Sequence, residues 1–337
     1  MDNLLPVYRH PVLTVLIDDN QDFLDSLAFR LDSRMTCVSF RDPSAAIDWL
    51  HDAYQSAAKN NGNPIRVNIN EEGNLLGEYV TSIDANEIAH AVLNPLRFNL
   101  PAVLVIDYAM PQINGVEFCQ AIRGLPCKKI LLTGYADEAV AVDAFNRNLI
   151  DRFIKKGDPQ ALDHLETEII KLQDDFFVEH SNTLTDILSR HCHEFLTDPE
   201  ACALIKQIAN QYGFVEFYLF AHPSGILYLD AQGKCTLMVI ETQAGMSSHF
   251  DIAQDQGAPA ELLSALRESQ LVPFFSDTGG VYQAELHNNW MSYCAPSQLC
   301  RGKQDYYWSL FELPQKSLPG AVYSYAEFLR DRTNQKS

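Results

Sequence analysis

Sequence features that indicate export or a membrane are missing from this chain. Its 337 residues contain no apolar run of 18 residues and no N-terminal stretch of signal-peptide form, so neither membrane spanning nor secretion is supported. The eight cysteines form no Cys-x-x-Cys pair, which favours reduced thiols over a disulfide framework. We therefore expect a cytoplasmic protein without a membrane partner.

Positive charge is also scarce. The chain has 25 Lys and Arg residues against 44 Asp and Glu, a net charge of −19, and residues 176–337 are acidic as well, with 10 against 18. A DNA-binding module normally carries a basic surface, because contacts to phosphates supply most of its non-specific affinity. The charge balance therefore gives no support to nucleic acid or nucleotide as a partner, but it leaves both open, because a local basic patch is compatible with it.

The first half of the chain alternates two kinds of apolar pattern. Short continuous apolar runs indicate strands buried on both faces of a sheet. Between them, apolar residues at three- and four-residue spacing, such as Phe23, Leu24 and Leu27, indicate helices. This alternation predicts an α/β domain with a doubly wound, five-stranded parallel sheet and right-handed crossovers. The predicted strands are residues 12–17, 36–40, 103–106, 129–132 and 152–154.

Residues 55–99 interrupt this alternation and are too long for an ordinary connection. They contain a turn cluster at 59–64, an alternating segment at Ile65–Ile69 and a helical pattern at Ala85–Leu93. We interpret them as a small, partly ordered insertion. The sequence leaves open whether it is a lid, a dimer contact or decoration.

Polar residues follow four of the predicted strands. Asp18 and Asp19 come after the first strand, Asp107 after the third, Thr133 after the fourth and Lys156 after the fifth. Because the carboxyl ends of parallel strands share one edge of a sheet, we expect these side chains to converge. Three carboxylates repel one another unless a cation lies among them, and Mg²⁺ suits such oxygen ligands. We predict that Asp107 accepts a phosphoryl group, which Thr133 and Lys156 bind.

Each of these features, taken singly, has a simpler explanation. Asp18-Asp19-Asn20 before a helix is typical of an N-cap, Thr133 of a cap, and Lys155-Lys156 of a solvated surface pair. Their joint occurrence in the order of the sheet favours a common site.

The same residues resemble the receiver domain of bacterial two-component response regulators. The resemblance covers Val12 to about Leu172, apart from the insertion. Its motifs are Asp18-Asp19, Asp107 with Met110-Pro111-x-x-x-Gly115, Leu132-Thr133-Gly134, and Phe153-Ile154-x-Lys156.

The resemblance implies a phosphorelay. A sensor histidine kinase or a phosphotransfer protein would transfer phosphate from histidine to Asp107, and the domain itself would catalyse acceptance and later hydrolysis. Homodimerisation on phosphorylation is implied as well. The other implied roles are direct Mg²⁺ ligation by Asp19 and Asp107, ligation through water by Asp18, a backbone carbonyl ligand from Ala109, a switch hydroxyl on Thr133, a rotating aromatic at Phe153, and a phosphate-bound Lys156.

The sequence departs from the family pattern in two places. Most receivers have proline after the lysine, whereas Lys156 is followed by Gly157 and preceded by Lys155. Lys155 therefore remains an alternative, although the Phe-Ile-x-Lys spacing favours Lys156. Ala109 has no side chain that would position or block an attacking water, so the lifetime of the aspartyl phosphate is left open.

The second half of the chain predicts an α+β output domain. Three apolar segments between residues 215 and 240, separated by Gly-containing turns, indicate an antiparallel meander. One core rarely serves 337 residues, and we predict domains at 10–175 and 176–337, joined by a helix without a Pro or Gly break from Pro159 through Phe176. The other predicted elements are helices at 185–195, 199–212, 259–270 and 323–332 and strands near 281–285 and at 306–311.

Candidate chemistry in this half is sparse. His191-Cys192-His193-Glu194 has metal-ligand residue types, but neighbours one and two apart point to different sides of a helix. Asp230 with Glu241-Thr242-Gln243 is similar to the acidic motif of some metal nucleases, yet position 243 lacks the lysine. Cys294 and Cys300 are expected to be buried rather than reactive.

Two functions follow from the sequence. The first is a response regulator whose acidic output domain binds a protein or a nucleotide-type ligand, and in which phosphorylation of Asp107 changes dimerisation and output. Its resemblance to regulators of the quorum-sensing type implies control of gene expression and virulence. The alternative is a phosphorylation-gated enzyme in the C-terminal domain that acts on nucleotides or nucleic acid. No motif for a dedicated enzymatic activity is recognised.

Overall fold

The computed structural model describes residues 4–31, 35–60, 65–69, 79–83, 85–134, 138–190, 193–314 and 318–335. His191, Cys192 and most of the predicted turn at 59–64 lie outside these residues. Within the described part of the chain, no helix has the length and apolar character needed to cross a membrane.

The elements follow one another along the chain without long structureless connections in the described ranges. The strands are β1 Tyr8–Arg9, β2 Leu13–Ile17, β3 Thr36–Phe40, β4 Ile65–Ile69, β5 Tyr79–Ile83, β6 Pro101–Asp107, β7 Lys128–Thr133, β8 Arg152–Lys155, β9 Glu216–Phe220, β10 Gly225–Leu229, β11 Cys235–Thr242, β12 Leu271–Pro273, β13 Cys294–Pro296, β14 Gln298–Arg301 and β15 Asp305–Leu313. The α-helices are α1 Gln21–Arg30, α2 Pro43–Asn60, α3 Asn86–His90, α4 Gly115–Ala121, α5 Glu138–Asn146, α6 Ala161–Ser189, α7 Pro199–Tyr212, α8 Gln243–Asp255, α9 Ala260–Arg267 and α10 Tyr325–Gln335.

The chain forms two compact units, each assembled from separate segments. The parallel-sheet unit comprises the described residues within 10–61, 94–180 and 328–337. The antiparallel-sheet unit comprises those within 1–9, 62–93 and 181–327. The boundary at 180/181 falls inside α6, which is continuous from Ala161 to Ser189.

The first unit contains the predicted five-stranded parallel sheet, in the order β3-β2-β6-β7-β8. All residues of β2, β6 and β7 are buried, because helices cover both faces of a doubly wound sheet and an apolar run can be buried on each side. On α1, Leu24 and Leu27 are buried, as their spacing predicts. The α/β prediction is confirmed.

The second unit contains an antiparallel sheet in the order β1-β9-β10-β11-β15-β14. The predicted meander forms β9, β10 and β11, and their pairing places Leu227 opposite both Tyr218 and Leu237. Helix α7 adds Ile205 and Ile208 to the core on one side of this sheet. The predicted α+β class is therefore confirmed.

The segment interpreted as an insertion supplies core residues to the antiparallel-sheet unit. Ile88 lies in the cluster that contains Phe217 and Leu219 of β9, and Val92 lies in the cluster that contains Tyr218. The helical pattern of this segment thus buries an apolar side against β9.

Two predictions for the second half are wrong. Residues 281–285 are not a strand but lead into a 3-10 helix at Ala284–Leu286. Gly279 and Gly280, with φ of 71° and 92°, turn the chain just before this stretch, and Tyr282 is buried against Phe275 with ring centroids 5.7 Å apart. The predicted helix at 185–195 is wrong in its bounds: residues 185–189 are helical as the end of α6, and a separate 3-10 helix covers 194–197.

His193 belongs to the predicted His-Cys-His-Glu motif. It is a buried residue with a hydrogen-bonding neighbour. It is 4% exposed, and its Nδ1 lies 2.9 Å from Ser224 Oγ. Burial, with a smaller effect from His222, lowers the pKa of His193 to about 4. The folded protein must keep this imidazole neutral. We therefore expect acid to destabilise the antiparallel-sheet unit, which contains His193.

We expect that acidification from pH 8 to pH 5 removes about 2 kcal/mol of stability through His193 alone. An unfolded histidine titrates near pH 6.5, so the unfolded chain takes up the proton first and stability falls as the pH falls through this window. Urea unfolding of the wild type and of His193→Gln at both pH values isolates the effect. An equal loss of stability in the two proteins would contradict it.

Candidate functional site

The carboxyl ends of four parallel strands bring the predicted polar residues to one edge of the sheet. Asp18 directly follows β2, Asp107 and Thr133 end β6 and β7, and Lys156 directly follows β8. The register pairs Ile17 with Ile106, Asp107 with Leu132, and Thr133 with Lys155. The strands therefore end side by side, as the sequence predicts.

Three carboxylates converge at this edge. Asp18, Asp19 and Asp107 each offer an oxygen, and these oxygens lie within 4.8 Å of one another. Asp18 is 2% exposed and Asp107 is 7% exposed, whereas Asp19 is the most accessible of the three. Buried carboxylates at this spacing require a compensating positive charge.

Lys156 supplies one positive charge to the cluster. Its Nζ lies 2.8 Å from Asp18 Oδ2 and 2.9 Å from Asp107 Oδ1. Its backbone N–H donates to the carbonyl of Thr133 at 2.9 Å, which fixes the end of β8 beside β7. The Nζ of Lys155 instead lies 2.8 Å from Glu138 Oε2 on α5. Of the two lysines, Lys156 is therefore the one that contacts Asp107.

Burial and charge act against each other on this ion pair. Burial raises the pKa of Asp107, and the hydrogen bond and charge of Lys156 offset only part of that increase. Burial alone would lower the pKa of Lys156, but the hydrogen bonds to Asp18 and Asp107 outweigh it and leave the pKa raised. The lysine thus stays charged beside a carboxylate that is more basic than usual.

The acidic turn after β2 does not cap the following helix through either aspartate. Asn20 is the N-cap of α1, and its Oδ1 accepts the backbone N–H of Phe23 at 3.1 Å. Asp18 Oδ1 accepts the backbone N–H of Asn20 at 2.9 Å, while Asp18 Oδ2 contacts Lys156. The simpler N-cap explanation therefore applies to Asn20 and leaves Asp18 and Asp19 to the carboxylate cluster.

The loop after Asp107 is held close to the strand end. The carbonyl of Tyr108 accepts the backbone N–H groups of Met110 at 3.2 Å and Gly115 at 2.9 Å. A Cβ atom at position 115 would overlap the backbone oxygen of Asp107, so this position of the Met-Pro-x-x-x-Gly motif requires glycine. The backbone amide of Ala109 hydrogen bonds to the Asp107 carboxylate.

Thr133, at the carboxyl end of β7, carries a buried hydroxyl. The residue is fully buried, and among the described residues its Oγ1 has no hydrogen-bond partner. A buried hydroxyl without a hydrogen-bond partner costs free energy. Such a group therefore favours the binding of a ligand that supplies an acceptor. An oxygen of a bound phosphoryl group would be such an acceptor. Phe153, on β8, is half-buried and packs against the apolar cluster that contains Leu131 and Ala141.

Sequence reasoning missed one contact of Lys156. The ring of Phe23 lies 4.3 Å from the Lys156 Nζ atom, measured to the ring centroid. The apolar spacing of α1 assigns Phe23 to the sheet-facing side, so the helical pattern alone gave no sign of this role. The one available signal was an aromatic residue in the first turn after the acidic pair.

The residues that suggested a nuclease are far apart in the structure. Asp230 lies in the turn between β10 and β11, where its Oδ1 accepts the backbone N–H groups of Gln232 and Lys234 at 2.9 Å. Glu241 is near the other end of β11, about 20 Å away at the usual rise per residue of an antiparallel strand. Glu241 Oε1 lies 3.3 Å from His249 Nε2. The two acids therefore do not share a site.

The half-buried cysteines of this unit lack the environment of reactive thiols. Burial raises the pKa of Cys294 to about 12 and also raises that of Cys300. The thiolate, which is the reactive form, is therefore scarce at neutral pH.

Comparison with known proteins finds a family match in the part of the chain that carries Asp107. Residues 66–166 match the response regulator receiver domain, and this stretch includes Asp107, Thr133 and Lys156. Over 73 residues the chain is 29% identical to an uncharacterised response regulatory protein of Staphylococcus epidermidis, a match that covers 22% of this chain and 29% of that protein. The chain thus aligns with less than a third of that relative. Together with the sheet order and the carboxylate cluster, these matches show that the chain contains a response regulator receiver domain.

A solved structure extends the similarity beyond the receiver. The Legionella pneumophila response regulator LqsR is 28% identical and superimposes with a TM-score of 0.80, covering 100% of this chain and 99% of LqsR. The similarity therefore includes the antiparallel-sheet unit.

Proposed function

We propose that this response regulator is switched by phosphorylation of Asp107, with a sensor histidine kinase or a phosphotransfer protein as donor. The observation that carries the proposal is the placement of Lys156 on both buried acids, Asp18 and Asp107, at distances of 2.8 and 2.9 Å. Such a site holds a carboxylate nucleophile next to a fixed positive charge, which is what acceptance of a phosphoryl group requires.

Asp107, Lys156 and Thr133 have different roles in the transfer of the phosphoryl group. An Asp107 carboxylate oxygen attacks the phosphorus, the bond from phosphorus to the donor nitrogen breaks, and the donor leaves with the electron pair of that bond. Lys156 pairs with a phosphoryl oxygen as a point charge. The Thr133 hydroxyl, which lacks a partner among the described residues, donates to another. Positioning and charge neutralisation supply most of the catalysis in phosphoryl transfer.

The carboxylate cluster fits a divalent cation. Asp18, Asp19 and Asp107 provide closely spaced oxygen atoms, the ligand type that Mg²⁺ prefers, and two of the three are buried. Asp19 and Asp107 would ligate it directly, Asp18 through water, and Ala109 through its backbone carbonyl. The ion would supply charge neutralisation for the acids and the phosphoryl oxygens.

We propose that phosphorylation changes the homodimer state through α5, β8 and α6. The two helices carry exposed apolar side chains: on α5, Val140 at 40%, Val142 at 41% and Phe145 at 44% exposure, and on α6, Ile170 at 44%. Exposed apolar groups on neighbouring elements are typical of protein interfaces. Thr133 on β7 and Phe153 on β8 would connect this surface to the phosphoryl group.

The proposed output is control of gene expression in cytoplasmic signalling of the quorum-sensing type. The full-length similarity to the Legionella pneumophila regulator supports this choice. The acidic charge of the chain favours a protein partner over direct binding to DNA. The separation of Asp230 and Glu241 removes the motif that suggested a nuclease.

Light scattering with acetyl phosphate and Mg²⁺ tests the switch. We expect the 38.0 kDa chain to gain one phosphate by intact mass and to double its molar mass in solution. Phe145→Glu, which places a charge on the exposed α5 surface, should keep the phosphate but remain monomeric. A phosphorylated wild type of unchanged molar mass would contradict the dimer switch, and a wild type that gains no phosphate would contradict the whole proposal.

A further inference from the structure

Lys156 has a third neighbour besides its two carboxylates. Its Nζ atom contacts Asp18 Oδ2 at 2.8 Å and Asp107 Oδ1 at 2.9 Å, and it lies 4.3 Å from the centroid of the Phe23 ring. An ammonium group has three N–H donors, and the face of an aromatic ring attracts a cation at this distance. The ammonium is therefore held between two acids and one aromatic face.

The acidic turn also fixes the backbone of Phe23. Asp18 Oδ1 accepts the backbone N–H of Asn20, and Asn20 Oδ1 accepts the backbone N–H of Phe23. Phe23 is thus fixed to the start of α1 through the residue that binds Lys156. Hydrogen bonds join Asp18 to Asn20 and Asn20 to Phe23, the ring of Phe23 contacts Lys156, and Lys156 pairs with Asp18.

A second position is open to the ammonium. A groove of about 290 Å³ lies beside the site, and Phe23, Ser26, Lys156 and Asp158 are among the residues that line it. The Lys156 side chain is 31% exposed and sits on a flexible four-carbon stem. Without the ring, the stem has room to rotate away from Asp107 into the groove, whose other charged lining residues are Asp158 and Arg30.

We propose that Phe23 is a positioning residue for Lys156. Its ring keeps the ammonium beside Asp107, ready to pair with a phosphoryl oxygen as the group is transferred. Lys156 keeps its protons and forms no covalent bond, so Phe23 acts only through the location of a charge. The inference rests on the proposed phosphorylation of Asp107 and deepens it.

Three variants distinguish the effect of the aromatic ring from the effect of an apolar side chain of similar size. Phe23→Leu keeps an apolar side chain but removes the ring, Phe23→Tyr keeps the ring, and Phe29→Leu removes a ring that is 91% exposed on the same helix. The initial rate of phosphorylation is measured by intact mass over a range of acetyl phosphate concentrations with Mg²⁺. A parallel pair compares Lys156→Met with the double variant Phe23→Leu/Lys156→Met.

We expect Phe23→Leu to lower the limiting rate roughly fivefold, the size of an ordinary cation–π contact, with little change in the half-saturating concentration. Phe23→Tyr should restore the rate, and Phe29→Leu should match the wild type. In the Lys156→Met background, Phe23→Leu should have no further effect, because the cation that the ring holds is gone. This last comparison remains valid if Phe23→Leu lowers the melting temperature, since a purely structural loss would slow both backgrounds alike.

Three results would overturn the inference while leaving the proposed function intact. These are a Phe23→Leu rate equal to that of the wild type, a Phe23→Tyr variant as slow as Phe23→Leu, or an equal slowing by Phe23→Leu with and without Lys156. A wild type that takes up no phosphate would instead overturn the proposed function, so the two failures are distinguishable.

Discussion

Asp107→Asn should abolish uptake of phosphate from acetyl phosphate in the presence of Mg²⁺. Asparagine has nearly the same shape but presents an amide, which is a poor nucleophile, at the position of the attacking carboxylate oxygen. Asp107 ends a strand whose seven residues are all buried, and an isosteric side chain should leave that strand intact. The expected loss is therefore one of chemistry.

Intact mass spectrometry over a time course measures this result. Asp158→Asn is a matched control, because Asp158 is an exposed carboxylate near the same edge of the sheet and should be labelled like the wild type. Equal labelling of Asp107→Asn and wild type would rule out Asp107 as the acceptor. Loss of labelling in Asp158→Asn would mean that the effect is not specific to position 107.

Lys156→Met should slow phosphorylation roughly a hundredfold, the usual cost of removing one preorganised charge from a transition state. Methionine keeps the unbranched stem but cannot pair with a phosphoryl oxygen. The variant also leaves Asp18 and Asp107 without their cation, and both are buried. We therefore expect a lower melting temperature in EDTA and a smaller difference from the wild type in Mg²⁺.

Lys155→Met is the control for this variant, because it makes the same chemical change one residue earlier. The Nζ of Lys155 pairs with Glu138 on α5 at 2.8 Å, so its removal should leave the rate of phosphorylation near that of the wild type. A larger loss of rate in Lys155→Met than in Lys156→Met would reverse the assignment of the two lysines.

The parallel sheet was predictable because each of its strands can be recognised from its own residues. A strand buried on both faces must be apolar throughout, as Val103–Ile106 is, and the polar residue that follows it marks the strand end. Four such ends in one sheet share an edge, so the convergence of Asp18, Asp107 and Lys156 follows from sequence order alone. The choice between Lys155 and Lys156 needed side-chain geometry, since adjacent residues on a strand point to opposite faces.

The composition of the two units depends on pairings between distant residues. Tyr8 pairs with Tyr218 in the antiparallel sheet, and Ile88 packs into the same core as Leu219. No periodicity within either short segment indicates such a partner. The contact of Phe23 with Lys156 was unpredictable for a similar reason: helical spacing shows which side of α1 faces the sheet, but not that the side chain directly after β8 meets it.

The strand predicted at 281–285 does not form, because backbone turns and side-chain burial outweigh the strand preference of its residues. Val281 and Tyr282 have strand-forming side chains, yet Gly279 and Gly280 turn the chain with positive φ and Tyr282 is buried against Phe275. Packing therefore overrides propensity at this point. One edge strand of the antiparallel sheet is Gln298–Arg301, for which the sequence predicted no strand.

The most direct test of the central claim is to locate the phosphate. The protein is incubated with acetyl phosphate and Mg²⁺, reduced with borohydride to convert an aspartyl phosphate to homoserine, and mapped by peptide mass spectrometry. We expect homoserine at position 107 alone, with Asp18 and Asp19 unchanged. Homoserine at another aspartate, or none in a protein whose intact mass shows an added phosphate, would contradict the proposed site.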